Sequence, residues 1–148
     1  DSTLTPILQS QYREAIGQVS SDGRYIMYIS DESGRNEIYV SELGGDGGRW
    51  QISNRGGYSP RWRSDNKEIF YWSRSDLLTV EVNMDDGRFE VGQPNKLFNQ
   101  STNRDGRLSG SRYAVSNDGQ RILINVPLNA SSDERIVLVQ NWITEIEE

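Results

Sequence analysis

Histidine and cysteine are both absent from the 148 residues, and each absence removes a class of chemistry. Without histidine the chain cannot build Ser-His-Asp or Cys-His machinery from its own residues. A metal site would have only oxygen ligands, which suit a hard cation. Without cysteine there is neither a disulfide framework nor a thiolate site, a composition that fits a reducing cytosol and a bacterial periplasm equally. Long apolar runs are missing too: no stretch approaches the roughly 20 residues of a membrane-crossing helix. Asp1-Ser2-Thr3 does not read as a secretory leader. Positive charge is in deficit, with 16 Lys and Arg against 22 Asp and Glu and a formal net charge of -6. Neutralising a phosphate backbone needs a local surplus of cations, and the nearest cluster is only Arg61, Arg63 and Lys67. Nucleic acid, direct membrane contact and a cofactor are therefore not expected.

What is present is patterned. Only 34% of the residues are hydrophobic, but they fall into short runs such as Tyr25-Ile26-Met27-Tyr28-Ile29. With 14 Gly, 7 Tyr and 4 Trp, the mixture suits short strands joined by tight turns, and no segment carries the apolar period of a long helix. Three segments share one order: an apolar strand, an acidic turn, then a second apolar strand. They are 17–28, 60–71 and 112–123. The turn aspartates Asp22, Asp65 and Asp118 lie 43 and 53 residues apart. The first spacing is one blade of a β-propeller, and the second adds a polar stretch, Asn99 to Arg112.

The turns have one conformational logic. An aspartate accepts a hydrogen bond from the backbone N–H two residues on. The residue after it needs a positive φ, which Gly23 and Gly119 supply freely and Asn66 supplies as the usual substitute. Asp22, Gly23, Asp65, Asn66, Asp118 and Gly119 are therefore read as structural turn residues. The fold expected is all-β: about three four-stranded antiparallel blades of a partial propeller, a single domain over 1–148. Blades are placed at 15–53, 58–98 and 112–142, with 5–9 as a lone outer strand and Asp85-Asp86-Gly87 as a hairpin signal.

Ser20-Ser21-Asp22-Gly23-Arg24-Tyr25-Ile26 followed by Asp31-Glu32-Ser33-Gly34-Arg35-Asn36-Glu37-Ile38-Tyr39-Val40 resembles the TolB-type WD-like repeat. Arg49-Trp50-Gln51-Ile52-Ser53, Pro60-Arg61-Trp62-Arg63, Glu68-Ile69-Phe70-Tyr71 and the closing Asn141-Trp142 resemble a bacterial subgroup of it. The resemblance runs over roughly residues 5 to 143. It implies a six-bladed propeller in full-length relatives, carried at the C-terminal end of multidomain signalling proteins and placed outside the cytoplasm. On that reading the chain is a fragment of such a propeller, and no catalytic residue carries over.

Function is accordingly expected to be binding of a protein or small ligand, without catalysis. The alternative is the accessory propeller of a prolyl-oligopeptidase-like peptidase. Binding is expected on the face bearing loops 54–58, 99–112, 30–36, 73–76 and 127–133, with Arg35, Tyr58, Arg61, Arg104 and Arg107 as candidates. Asp31 to Glu37 has oxygen ligands but no alternating Asp/Asn ladder, so a loop pinned by ion pairs is preferred over a metal site. Trp50, Trp62, Tyr71 and Trp72 are read as packing between blades. Three blades leave open sheet faces, so two copies are expected to associate, as a six-bladed ring in which Thr5–Gln9 of one chain supplies the fourth strand of the other's last blade. The alternative is an open half-propeller whose missing blades come from its own parent chain.

Overall fold

A computed structural model of the chain describes residues 6–44, 47–84, 88–99, 113–127 and 134–140, none of them helical. The first sheet runs β1 (Glu14–Val19), β2 (Tyr25–Ser30), β3 (Glu37–Glu42) and β4 (Arg49–Gln51), antiparallel and in sequence order. The second runs β5 (Tyr58–Trp62), β6 (Glu68–Ser73) and β7 (Asp76–Asn83). Two short strands share the outer edge of β7: β8 (Glu90–Val91) at its far end and β9 (Asn95–Asn99) at its start. β9 closes the blade expected over 58–98, and β8 pairs back on β7 across the connection that carries the 85–87 hairpin signal. The third sheet has β10 (Tyr113–Val115), β11 (Arg121–Pro127) and β12 (Glu134–Gln140) among the described residues.

The sheets stack because the second strand of each is apolar on both faces. All six residues of β2 and of β6 are buried, and alternate side chains point opposite ways. Met27 and Ile29 face the second sheet, where they meet Ile69, Tyr71, Val80 and Phe89. The other face of β6, Phe70 and Trp72, meets Tyr113, Ile122 and Ile124 of the third sheet. Each such side chain contributes about 1.5–3 kcal/mol of apolar burial, so an unbroken apolar run is the mark of a strand packed on two sides.

The repeat extends to backbone irregularities. β1 and β5 each break register, between Ala15 and Gln18 and between Tyr58 and Arg61. Ile16 (φ 57°) and Ser59 (φ 48°) sit at the two breaks, as expected of a bulge that bends an inner strand. Polar bonds then join inner strands across sheets: the Trp62 indole N–H donates to the Gln18 carbonyl (3.3 Å). The Tyr113 hydroxyl reaches the carbonyls of Ser59 (2.7 Å) and Phe70 (3.1 Å).

One expectation needs correction. Residues 6–9 take no strand conformation. Leu8 packs instead on Ile26, Tyr28 and Tyr39, the outer face of the first sheet, so apolar cover holds this segment over a face rather than along an edge. Thr5 lies outside the described residues, as do the hairpin signal at 85–87 and the closing Asn141-Trp142.

Candidate functional site

The interface between the first two sheets opens into a cleft at each end. At one end lie the hairpin turns that join the first strand to the second. Asp22 accepts the Arg24 N–H (3.1 Å), Asp65 the Lys67 N–H (3.1 Å) and Asp118 the Gln120 N–H (3.0 Å). Gly23 (φ 71°), Asn66 (φ 60°) and Gly119 (φ 74°) follow them. In the outer two turns a serine hydroxyl donates to the aspartate, Ser20 to Asp22 (2.5 Å) and Ser116 to Asp118. In the middle turn Arg63 takes that part, with Nε 2.7 Å and Nη2 2.8 Å from the Asp65 oxygens, and its Nη1 reaches Glu68 (2.6 Å). These donors hold all three carboxyls below the ordinary aspartate value: Ser20 at Asp22, the Arg63 guanidinium at Asp65, Ser116 at Asp118.

The turns are also linked to one another. The Asn66 amide oxygen accepts the Ser21 N–H (2.9 Å), and the Ser64 hydroxyl donates to the Asn117 carbonyl (2.7 Å). Asn66 therefore does what glycine does for the backbone and also bridges two sheets. The cleft beside these turns encloses about 700 Å³, and in its turn wall Arg63 is paired with both Asp65 and Glu68.

At the opposite end the loop from β4 to β5 is gathered around one buried acid. Glu37 is fully buried. It accepts the Gly56 N–H (2.8 Å), the Arg35 Nε–H (2.7 Å) and the Ser53 hydroxyl. Arg35 donates on to the Asn54 carbonyl (2.6 Å), and Ser53 accepts the Ile38 N–H (2.9 Å). The packing is close enough that a Cβ on Gly57 would lie 2.5 Å from Ser53 Oγ, so only glycine fits there. The Ser73 hydroxyl then ties this loop to the β6–β7 hairpin through the Arg55 carbonyl (3.2 Å).

Between those two loops is a cleft of about 420 Å³, with Arg55, Tyr71, Arg74, Asp76, Leu78 and Lys96 among its lining residues. Asp76 is engaged, accepting from the Asn99 amide (2.6 Å) and from Lys96 (2.8 Å), and these partners, Asn99 foremost, lower its pKa. Burial, and then the Glu37 charge, push the Tyr71 hydroxyl up to about 12. Arg74 occupies the hairpin at φ 54°.

Among the expected candidates, Arg35 is a brace on Glu37 rather than a free binding group. Tyr58 is 41% exposed and borders a smaller hollow with Arg13, Ile16 and Asn36. Arg61 lies over the Tyr113 ring, 5.9 Å from its centroid. Loops 54–58 and 73–76 come together at the cleft; Arg104, Arg107 and most of the loop carrying them lie outside the described residues. Asp31 to Glu37 is pinned as expected, through Arg35 on Glu37, Glu32 on Arg49 and Asp31 on the Arg13 N–H (3.0 Å). Among the described residues no cluster of three or more acidic side chains could hold a metal ion. Trp50 packs on Phe89 (4.6 Å between centroids), and Trp72 meets Tyr113 edge-on (6.1 Å). Arg55, Arg74 and Lys96 were not singled out by sequence; the one signal at Arg74 is its place in the short Arg74-Ser75 connection between two strands.

No protein-family model matches the chain, and no curated protein does. Solved structures do match. An acylaminoacyl peptidase from Pyrococcus horikoshii overlays 82% of the chain at a TM-score of 0.50 and 15% identity. The chain is a partial β-propeller. TolB from Acinetobacter baumannii overlays 90% of it, with a TM-score of 0.45 and 16% identity. The chain spans 42% of that TolB and 18% of the peptidase, and at such identities the likeness concerns the fold alone.

Proposed function

We propose that this partial propeller is a non-catalytic module for binding a protein or small ligand, the interaction part of a larger bacterial signalling protein, placed outside the cytoplasm. The observation that carries this reading is the loop-end cleft, where two rigidly tied loops present cations that the fold itself does not use. The absence of histidine and cysteine supports it, since the usual nucleophile–base pairs lack their residues. A pull-down and a ligand screen on the full-length protein test it. A retained partner or a ligand that raises Tm is expected; a screen yielding neither sinks the proposal. The accessory propeller of a prolyl-oligopeptidase-like peptidase is a second reading, favoured by the likeness to the Pyrococcus enzyme. It requires a hydrolase region with G-x-S-x-G in the same gene.

Self-association belongs to the same proposal. Leu123 occupies the place in β11 that Met27 and Phe70 occupy in β2 and β6. Those two are fully buried against the next sheet, whereas Leu123 is 41% and Leu138 48% exposed. The outer face of the first sheet, Ile26 and Tyr28, is apolar and lies buried under the segment that carries Leu8, which a second copy would displace. A head-to-tail contact between two copies would match one face to the other, and two such contacts would close a ring. Light scattering is expected to show a dimer that Leu123→Glu dissociates. A well-folded monomer at every concentration would sink this part.

A further inference from the structure

Two features of the loop-end cleft are left unengaged by the fold. The first is Tyr71. Its side chain is 2% exposed, it lines the cleft, and its hydroxyl makes no hydrogen bond among the described residues. The ring is buried and the hydroxyl is its open end in the cleft, unlike the hydroxyls of Tyr113, engaged with two carbonyls, and Tyr28, engaged with Ser41 (3.1 Å). The second is the pair Arg55 and Arg74. Both are exposed and neither side chain has an acidic partner among the described residues, whereas Arg35, Arg49 and Arg63 each do. Arg74 holds the first place of the two-residue β6–β7 hairpin, where the turn itself calls for its positive φ of 54°. The Ser73 hydroxyl on the Arg55 carbonyl keeps the two arginine-bearing loops in fixed relation.

We propose that this cleft binds a carboxylate carried on an apolar stem, as a peptide C-terminus or a peptide glutamate supplies, with Arg55 and Arg74 on its oxygens and the Tyr71 hydroxyl as a further donor. The proposal rests on the binding-module reading and names the ligand chemistry for it. Three cations of the lining, Arg55, Arg74 and Lys96, face one carboxylate, Asp76, on a chain whose net charge is -6. That local surplus selects an anion, and guanidinium forks match carboxylate oxygens. A dianion is disfavoured by the Asp76 carboxylate in the same lining. Leu78 and Pro94 in the wall suit an aliphatic stem rather than a bare inorganic ion.

The test is a titration of the 148-residue chain, followed by NMR, with N-acetyl-leucine, N-acetyl-leucinamide, N-acetyl-glutamate α-amide and inorganic phosphate. At least one carboxylate probe is expected to bind about tenfold more tightly than the neutral amide, since charge-assisted bonds are lost in the amide. Which carboxylate binds better tells a chain terminus from a side chain. Arg55→Gln and Arg74→Gln should each weaken it about tenfold, and Tyr71→Phe about threefold, with unchanged spectra elsewhere. Equal binding of amide and carboxylate, tighter binding of phosphate, no saturable binding, or indifference to both arginine variants would each overturn the site. A partner pulled down equally by the full-length protein and its Arg55→Gln/Arg74→Gln variant overturns this site while leaving the binding module standing. Recovery of no partner and no ligand overturns both.

Discussion

The two ends of the interface between the first and second sheets are made by the same strands and finish with opposite characters. At the turn end the lining has five carboxylates, Asp22, Asp65, Glu68, Glu81 and Glu90, against Arg24, Arg63 and Lys67. Its turn residues spend their hydrogen bonds on each other and on the neighbouring sheet. At the loop end the buried groups are equally well satisfied around Glu37, yet two arginines and a tyrosine hydroxyl at the surface of that knot are left over. A motif repeated in every blade serves the blade. Groups that occur in one loop only, on a rigid support, are the ones open to a ligand.

The sharpest way to break this contrast is to remove the knot. Glu37→Ala leaves the Gly56 N–H and the Ser53 hydroxyl buried without their acceptor, and equilibrium urea unfolding is expected to lose about 3 kcal/mol. The ion pair with Arg35 adds little, because Arg35 is 60% exposed. A loss below about 1 kcal/mol would show that the loop is held by its backbone bonds, such as the Gly57 N–H on Asn36 (3.0 Å), and that the loop end has no dedicated support.

Next in size is the alkaline limb. Burial raises the tyrosine pKa at Tyr113 as well as at Tyr71, the latter to about 12, from an ordinary value of 10.0. The folded chain holds these protons where the unfolded chain releases them. Their contribution is therefore complete below pH 10 and is lost as pH rises through 10 and beyond. Each tyrosine adds a slope of up to about 1.4 kcal/mol per pH unit. Denaturation midpoints between pH 9 and 11.5, in wild type, Tyr71→Phe and Tyr113→Phe, check this. Each variant should flatten the limb, and a limb identical in all three would refute the assignment.

A smaller effect isolates the bridge at the turn end. Asn66→Gly keeps the positive φ and removes the acceptor of the Ser21 N–H, so a loss of about 1 kcal/mol is expected. Asn66→Ala loses the bridge and strains the turn as well, at a further cost of roughly 1 kcal/mol. If glycine proves neutral, Asn66 serves the turn alone.

The turn end was legible in the sequence because its chemistry is local: an Asp that accepts the N–H two residues on, followed by a residue that takes positive φ, leaves a fixed signature. The three-sheet architecture followed from the apolar runs of β2 and β6. What sequence could not supply was the second acceptor role of Asn66, whose partner Ser21 lies 45 residues away. Glu37 reads as one more solvated acid in a polar loop, since its burial depends on donors from Ser53 and Gly56 that arrive only when β4 turns back beside β3. Arg55, Arg74 and Tyr71 meet through the same closure. Of the split outer edge of the second sheet, the sequence offered only the 85–87 hairpin signal between β7 and β8, because β8 is two residues long and has no pattern of its own.

The smallest effect separates the ends by the way each holds its aspartates. Asp22, Asp65, Asp76 and Asp118 all titrate below the ordinary 3.8. Their stabilisation is present above that value and is lost as pH falls through the lower folded values. All are largely solvent-facing, so the acid loss should be slight. Salt distinguishes the causes. The Asp65 carboxyl depends first on the Arg63 guanidinium, and Asp76 on Lys96 after Asn99; screening by about 1 M salt, with a Debye length near 3 Å, should raise both. Asp22 and Asp118 are held first by serine hydroxyls and then chiefly by backbone N–H groups, so salt should leave them nearly unmoved. Carboxyl-detected NMR titrations at low and high salt measure this directly. A uniform upward shift of all four would mean that net charge, rather than the particular donor at each turn, sets their acidity.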